Sequence, residues 1–395
     1  MVTYNFAIVY PLPLSPLIIS SIDTFIDVKT LNGTYIARVT EASSSSISEW
    51  GSRGKELSAI KIVKIAHEVF PNSVDLMERS CIENFNSISK RVKSNMRGLF
   101  VVAYLNGNES ILKFLIQKSM EYDDCYIRKL SDIMKLFYAR AKRIQNSKVI
   151  YGEVDELRKN ITKSEVDLLI LCDILKISIL GDIGDFNIFE VYKNRAIENL
   201  INVEDQEVQS LYDYWITDIW SYYLHRKNDT VRFRSCNDLL WKYKDLRFFP
   251  IMQAMLHSRI GEHTIFTDYA DAIHELDTAL SLCIERNCKY KQEIIVNNIN
   301  FTKLYWKKDI KTIDFSTLHP AEKCMYYFEQ GKVQEARDGI GDLEKRGILT
   351  PIQLTYKGVI YSDKKLILQA IDRFKSYNDF FFVQYANEMY NRLNT

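Results

Sequence analysis

YIARVTEASSSSISEWGSRG, residues Tyr35 to Gly54, reads as a helix, a tight turn and a second helix. Ile36 and Ala37 begin an apolar face, and Val39 falls near the turn. Ser43 is placed to cap the second helix, because its hydroxyl accepts a bond from an amide that the first turn leaves unpaired. Ile47 and Trp50, three apart, form one buried stripe. Ser44, Ser45, Ser46, Ser48 and Glu49 are left on the outer side. A helix-turn-helix has this layout: a short helix, a tight turn, and a second helix that offers small polar side chains to the major groove. On that reading Ser44, Ser45, Ser46 and Ser48 meet base edges or phosphates, while Arg38, Arg53 and Lys55 anchor phosphates. Glu49 either accepts from cytosine N4 or repels phosphate. The plainer reading of the same letters is a Ser-rich loop between two ordinary helices. Glu41 is the irregular position, since turns of this kind favour Gly where a positive φ is convenient.

The flanks extend the motif. Ser15 to Ile26 supplies a preceding helix, and Leu57 to Phe70 carries Leu57, Ile60, Ile62, Val63, Ile65, Ala66 and Val69 at helical spacing, enough to close a small core over the turn. Residues 15–72 are therefore expected to form a DNA-binding domain, and residues 1–14 an extension of unassigned structure. That extension belongs to an apolar run, Phe6 to Ile19, which is broken by Pro11, Pro13 and Pro16 and has no basic segment before it. It suits neither a signal peptide nor a membrane span.

The 395 residues exceed one small domain, and the formal net charge is only +1. No basic field is present to hold nucleic acid by phosphate contacts alone. DNA binding should then be local and doubled by dimerisation. Tyr (24) and Phe (20) are abundant while Gly (14) and Pro (7) are scarce, which favours bulky helices with few turns. From Ser73 onward the apolar letters recur at i, i+3, i+4, with short polar breaks such as Asn106-Gly107-Asn108. Four segments look like one degenerate helical hairpin, starting at Leu180, Ile260, Tyr327 and Tyr356. In the third, Gly331, Ala336 and Leu343 fit tetratricopeptide spacing. The fold expected is all-α: an N-terminal helix-turn-helix followed, over 73–395, by a TPR-like α-solenoid whose concave face binds ligands.

No residue set nominates catalysis. The six histidines form no metal-binding motif, and Cys283 and Cys288 stand near zinc-ligand spacing without a second ligand pair. The seven scattered cysteines suit buried free thiols in a reducing cytoplasm. No phosphate-cradling loop or nucleophile elbow is present, and Gly339-Ile340-Gly341 lacks the strand such a loop needs. No enzyme activity, cofactor or metal is expected. Near the end, Asn378 and Asp379 stand at a helix corner before the aromatic run Phe380 to Phe382. Asp379 is read either as a helix N-cap or as a carboxylate for a cationic peptide side chain.

The order of these parts, with IKIVKIAHEVFP after the motif, IGEHTIFTDYADA and LYWKKD between Ile260 and Asp309, and YYFEQGKVQEARDGIGDLEKRG near the close, resembles the AimR family, the arbitrium peptide receptors of Bacillus phages and prophages. Rap and PlcR type peptide sensors share the architecture. The resemblance implies a cytoplasmic homodimer that binds operator DNA and a short unmodified peptide, with the peptide switching DNA binding between lysis and lysogeny. It implies that Asp379, beside Asn378, contacts the peptide. Glu262 stands where the family carries an Asn, Arg247 matches a family Arg, and Lys303 and Leu304 stand where the family has an Asn. The competing reading is a Rap-like helical-repeat adaptor that binds another protein and no DNA.

Overall fold

The computed structural model describes residues 33–53, 56–86 and 92–393. The readings made of residues 1–14, of Ser15 to Ile26 and of Lys55 lie outside the described residues, as does the side chain of Arg53. Among the described residues the fold is all-α, with twenty α-helices and no strand.

The opening stretch forms α1 (Gly33–Thr40) and α2 (Ser44–Arg53) around a tight turn. Glu41 makes that turn at φ +53°. The left-handed region costs a residue with a Cβ about 1–2 kcal/mol. Its carboxylate is tied at 2.5 Å to Lys244, far along the chain. Ser43 Oγ accepts from the Ser46 amide at 3.0 Å, as an N-cap does. Ile36, Ala37, Val39, Ile47 and Trp50 are buried. α3 (Ala59–Val69) is buried nearly all round, because it packs on α1 from one side and on later helices from the other. Its cap is Ser58, whose hydroxyl also donates to Glu207 at 2.5 Å.

The remaining helices run as successive antiparallel pairs. They are α4 (Val74–Asn86), α5 (Val92–Leu105), α6 (Glu109–Lys118), α7 (Cys125–Ala141), α8 (Ser147–Lys159), α9 (Val166–Ile183), α10 (Phe189–Leu200), α11 (Gln206–Arg226) and α12 (Thr230–Trp241). After these come α13 (Pro250–Thr264), α14 (Tyr269–Glu285), α15 (Lys289–Trp306), α16 (Pro320–Glu329), α17 (Val333–Arg346), α18 (Pro351–Ile360), α19 (Lys364–Ser376) and α20 (Phe380–Arg392). Polar side chains start many of them: Asp124, Asn146, Asp205, Asp229, Asp268, Asp363 and Asp379 each cap the helix that follows. Thr350 and Gln353 form a full capping box on α18.

The four segments read as repeated hairpins lie at the corners of α9/α10, α13/α14, α16/α17 and α18/α19, and these are the four most extensively packed helix pairs. Small residues explain the close approach. A Cβ on Gly358 would sit 2.4 Å from Ile367 Cγ1 and 3.0 Å from the Asp363 carbonyl oxygen, and one on Gly261 would sit 2.8 Å from Leu276 Cγ. Gly339 lies inside α17, where a Cβ would come 2.7 Å from Cys324 Sγ. Gly358→Ala is expected to cost about 2–3 kcal/mol in urea unfolding, because the clash with backbone outweighs Ala's helix propensity. An unchanged midpoint would show that α18 and α19 separate freely.

One apolar core includes Ile36, Trp50 and Val63 of the first three helices and continues without a break to Leu256 of α13. A second core runs from Ile265 to Met389. The two meet around α13 to α15, where a smaller cluster holds Ile251, Leu276 and Ile295.

Candidate functional site

The helices curve around a cavity of about 350 Å³. Its wall comes from the odd-numbered helices α5 to α15, with Phe189 of α10 as the one addition. On α11 the lining residues include Trp215, Asp218, Ile219, Tyr222 and Arg226, which recur at i, i+3, i+4, i+7 and i+11 and so share one helix face. α13 contributes Met252, Met255, Ser258, Arg259 and Glu262, and α15 contributes Tyr290, Lys291, Ile294 and Asn298.

Aromatic rings and charges alternate on this wall. Arg140 holds Asp182 through two bonds of 2.7 Å and donates to the Tyr104 hydroxyl at 3.2 Å. Arg259 stacks over the Tyr222 ring at 4.5 Å and lies 3.6 Å from Asp218 and 3.9 Å from Glu262. Glu262 accepts from Asn298 at 2.7 Å. The Tyr214 hydroxyl and Asp218 Oδ1 are buried without a hydrogen-bond partner among the described residues. Buried polar atoms are normally satisfied, so these mark positions suited to the polar groups of a ligand.

Beside the cavity, at Arg226, distant parts of the chain are latched together. The Phe186 amide donates to the Tyr377 carbonyl at 3.0 Å, and Asn187 Nδ2 donates to the Ser376 carbonyl at 3.0 Å. Asn378 Nδ2 donates to Asn187 Oδ1 at 2.6 Å, and Asn378 Oδ1 accepts from Lys227 at 3.0 Å. Asp379, only 2% exposed, caps α20 through the Phe382 amide and pairs with Arg226, whose guanidinium also lies 4.5 Å from the Phe382 ring centroid. Next to this latch Phe381 packs 4.1 Å from His225, and His225 and His263 face each other with Nδ1 atoms 3.2 Å apart.

Burial and the nearby Arg226 hold the imidazole of His225 well below its ordinary range, and burial holds His263 at about 4. Both rings are neutral in the fold. A depressed folded pKa means that the unfolded chain binds the proton more tightly. The stability contributed is complete above pH 6.5 and is lost as pH falls below it. Other buried groups titrate with the opposite sign, Asp173 among them with burial raising it to about 6. The effect is therefore read as a difference. His225→Phe, which keeps an aromatic ring between Phe233 and Phe381, is expected to gain about 2 kcal/mol relative to the parent chain on going from pH 6.5 to 5. Parallel urea curves at the two pH values would contradict this.

The structure brings Glu262 to the cavity wall and Asn378 with Asp379 to its latch. In the latch, Asp379 faces the chain's own Arg226. It does not bring Arg247 or Lys303 there. Arg247 lies over the Phe248 ring and 3.9 Å from Glu68 of α3, and Lys303 donates to Thr312 Oγ1 on the outer side. On α2, Ser44, Ser45 and Ser48 are exposed and Ser46 and Glu49 are half-buried, with Ser46 Oγ accepting from Ser43 Oγ at 2.8 Å. Arg38 is exposed on α1 beside the Tyr35 ring.

A match to the AimR transcriptional regulator-like family covers residues 78–387, most of the chain. The chain belongs to that family. Among solved structures, it is similar to phAimR with its ligand, at a TM-score of 0.72 and 16% identity, over 86% of this chain and 98% of the other. A selenomethionine phAimR structure is similar at a TM-score of 0.60 and 17% identity, over 96% of this chain and 97% of the other. No curated protein matches the chain. At such identities the likeness is one of fold, and the helical solenoid is the AimR fold. Among the described residues no helix is long and apolar enough to cross a membrane, and no three His, Cys, Asp or Glu side chains gather as metal ligands would.

Several residues of this AimR-type cavity escaped the sequence reading: Arg140, Asp182, Asp218, Tyr222, Arg226, Arg259 and Lys291. The face of α11 carried a signal, since an aromatic and charged stripe at helical spacing on one helix is neither a pure core stripe nor a solvated face.

Proposed function

We propose that this chain is a phage lysis-lysogeny regulator that binds operator DNA through α1 and α2 as a homodimer in the host cytoplasm, and that a short peptide held in the cavity sets that binding. Membership of the AimR family supports the regulatory part of this reading. The observation that carries the coupling is the position of α11. Its N-terminal end meets α3, the helix packed on α1, where Glu207 accepts from Ser58 at 2.5 Å and lies 3.6 Å from Lys61. Its middle lines the cavity, and its C-terminal end carries Arg226 of the latch. With 21 residues it spans about 30 Å as one rigid element.

The loop between α12 and α13 adds a second connection. Lys244 reaches Glu41 in the turn, and Asp245 holds the buried Lys64 at 2.6 Å. The next helix, α13, carries Arg259 and Glu262 into the cavity. A ligand that shifts α11 or α13 therefore moves the seat of the helix-turn-helix, and in a dimer it changes the spacing of the two DNA-reading helices. The ligand must bind one arrangement better than the other by about 3–5 kcal/mol to empty the operator.

A mobility shift with the purified chain, the intergenic DNA beside its gene and the short peptide encoded downstream tests the proposal. A shifted band that the peptide removes or alters is the expected result. A band indifferent to the peptide would discard the ligand, and no band from a folded dimer would discard the DNA.

A further inference from the structure

Four cations line the cavity: Arg140, Arg226, Arg259 and Lys291. The three guanidiniums are ion-paired, Arg140 with Asp182, Arg226 with Asp379, and Arg259 with Asp218 and Glu262. Lys291 has none. Among the described residues its ammonium has neither a hydrogen-bonded nor an ion-paired partner, and it lies 5.3 Å from the centroid of the Tyr290 ring.

The surroundings make this charge costly. Burial pushes the Lys291 ammonium below the ordinary lysine range, with Cys288 and Asp218 acting against the shift and the guanidiniums of Arg140 and Arg259 acting with it. Lys291 also stands in the first turn of α15, whose free amides add positive potential at the same end. A cation that faces a cavity with no hydrogen-bonded or ion-paired partner of its own has one simple complement: an anion that arrives with the ligand.

We propose that Lys291 is the anion subsite of the cavity and takes a carboxylate of the bound peptide, the C-terminal one being the carboxylate every unmodified linear peptide carries. The proposal rests on the peptide-receptor reading above and gives it a polarity. One end of the ligand lies against α15, beside Tyr290, away from the Arg226 and Asp379 latch. It also requires the ligand to have a free carboxylate, which excludes peptides that are amidated and otherwise uncharged.

The test is calorimetric titration of the full chain and of Lys291→Met. The probes are short synthetic peptides tiled along the small open reading frame beside the gene, each as free acid and as C-terminal amide. The free acid is expected to bind the parent chain, and amidation to weaken it on the order of 30-fold. Lys291→Met should weaken the free acid by a similar factor and leave amidation with almost no further effect. An amide that binds the parent chain well but loses affinity on Lys291→Met also supports the subsite, with a peptide side chain as the carboxylate. Lys291→Met that binds both forms like the parent overturns the subsite and leaves the receptor reading intact. A parent chain that binds no peptide in either form removes both. Because the substitution removes a half-buried charge that has no ion-pair partner, the unliganded variant is expected to melt no lower than the parent. A large drop in melting temperature would make Lys291 a structural residue and overturn the assignment.

Discussion

Asp379→Ala is expected to destabilise the chain by about 3–5 kcal/mol, the cost of leaving one member of a buried ion pair unmatched. Asp379 is buried at the start of α20, its partner Arg226 is half-buried at the end of α11, and the two residues are 153 apart in sequence. Removing the carboxylate also removes the cap on the Phe382 amide. The pair is the charged centre of the latch, so the loss should be felt as separation of α20 from α11 rather than as local fraying. Arg226→Met with Asp379→Leu, which removes both charges, should be more stable than Asp379→Ala alone, since apolar replacement of a buried pair is far less costly than breaking it. Urea unfolding of the three proteins decides this. A loss under about 1 kcal/mol for Asp379→Ala would show that the pair is solvated and that it does not hold α20 against α11.

Ser44→Glu is expected to abolish operator binding while leaving the fold intact. Ser44 is the first residue of α2 and is exposed. An acid at a helix N-terminus is favourable to the helix, so thermal stability should stay level or rise slightly. On DNA the same carboxylate would face phosphate or an unmatched base edge. A lost contact costs about 1–3 kcal/mol per half-site, and a dimer suffers it twice. Binding should therefore weaken by on the order of 100-fold or more at fixed salt. Retained binding with a normal melt would place the DNA contact elsewhere.

Local chemistry made part of this structure legible in the letters. Ser43 as a cap, Ile47 and Trp50 as a stripe, and the strained position at Glu41 all depend on neighbours within four residues. The structure has each of them, Glu41 at positive φ included. Two of the four hairpin corners were legible because Gly261 and Gly358 mark a close helix approach there. Asp379 drew two readings because its neighbours could not name its partner. The N-cap is local, but Arg226 lies on another helix. Arg247 and Lys303 were chosen by spacing within a resemblance, and spacing does not say which face of the solenoid a side chain joins. Arg140, Asp182, Arg259 and Lys291 were illegible for the same reason. Each looks like a solvated charge on an ordinary helix until α5 to α15 curve and turn those faces inward.

Coupling of the cavity to the helix-turn-helix through α11, as proposed, must be reciprocal. The measurement is the affinity of the peptide for the full chain, alone and with saturating operator duplex, set beside the affinity of the duplex with and without saturating peptide. Each ligand is expected to weaken the other by the same factor, on the order of 100-fold or more, and breaking the Arg226 and Asp379 latch should shrink both factors together. Two ligands that bind with undiminished affinity at the same time would contradict it.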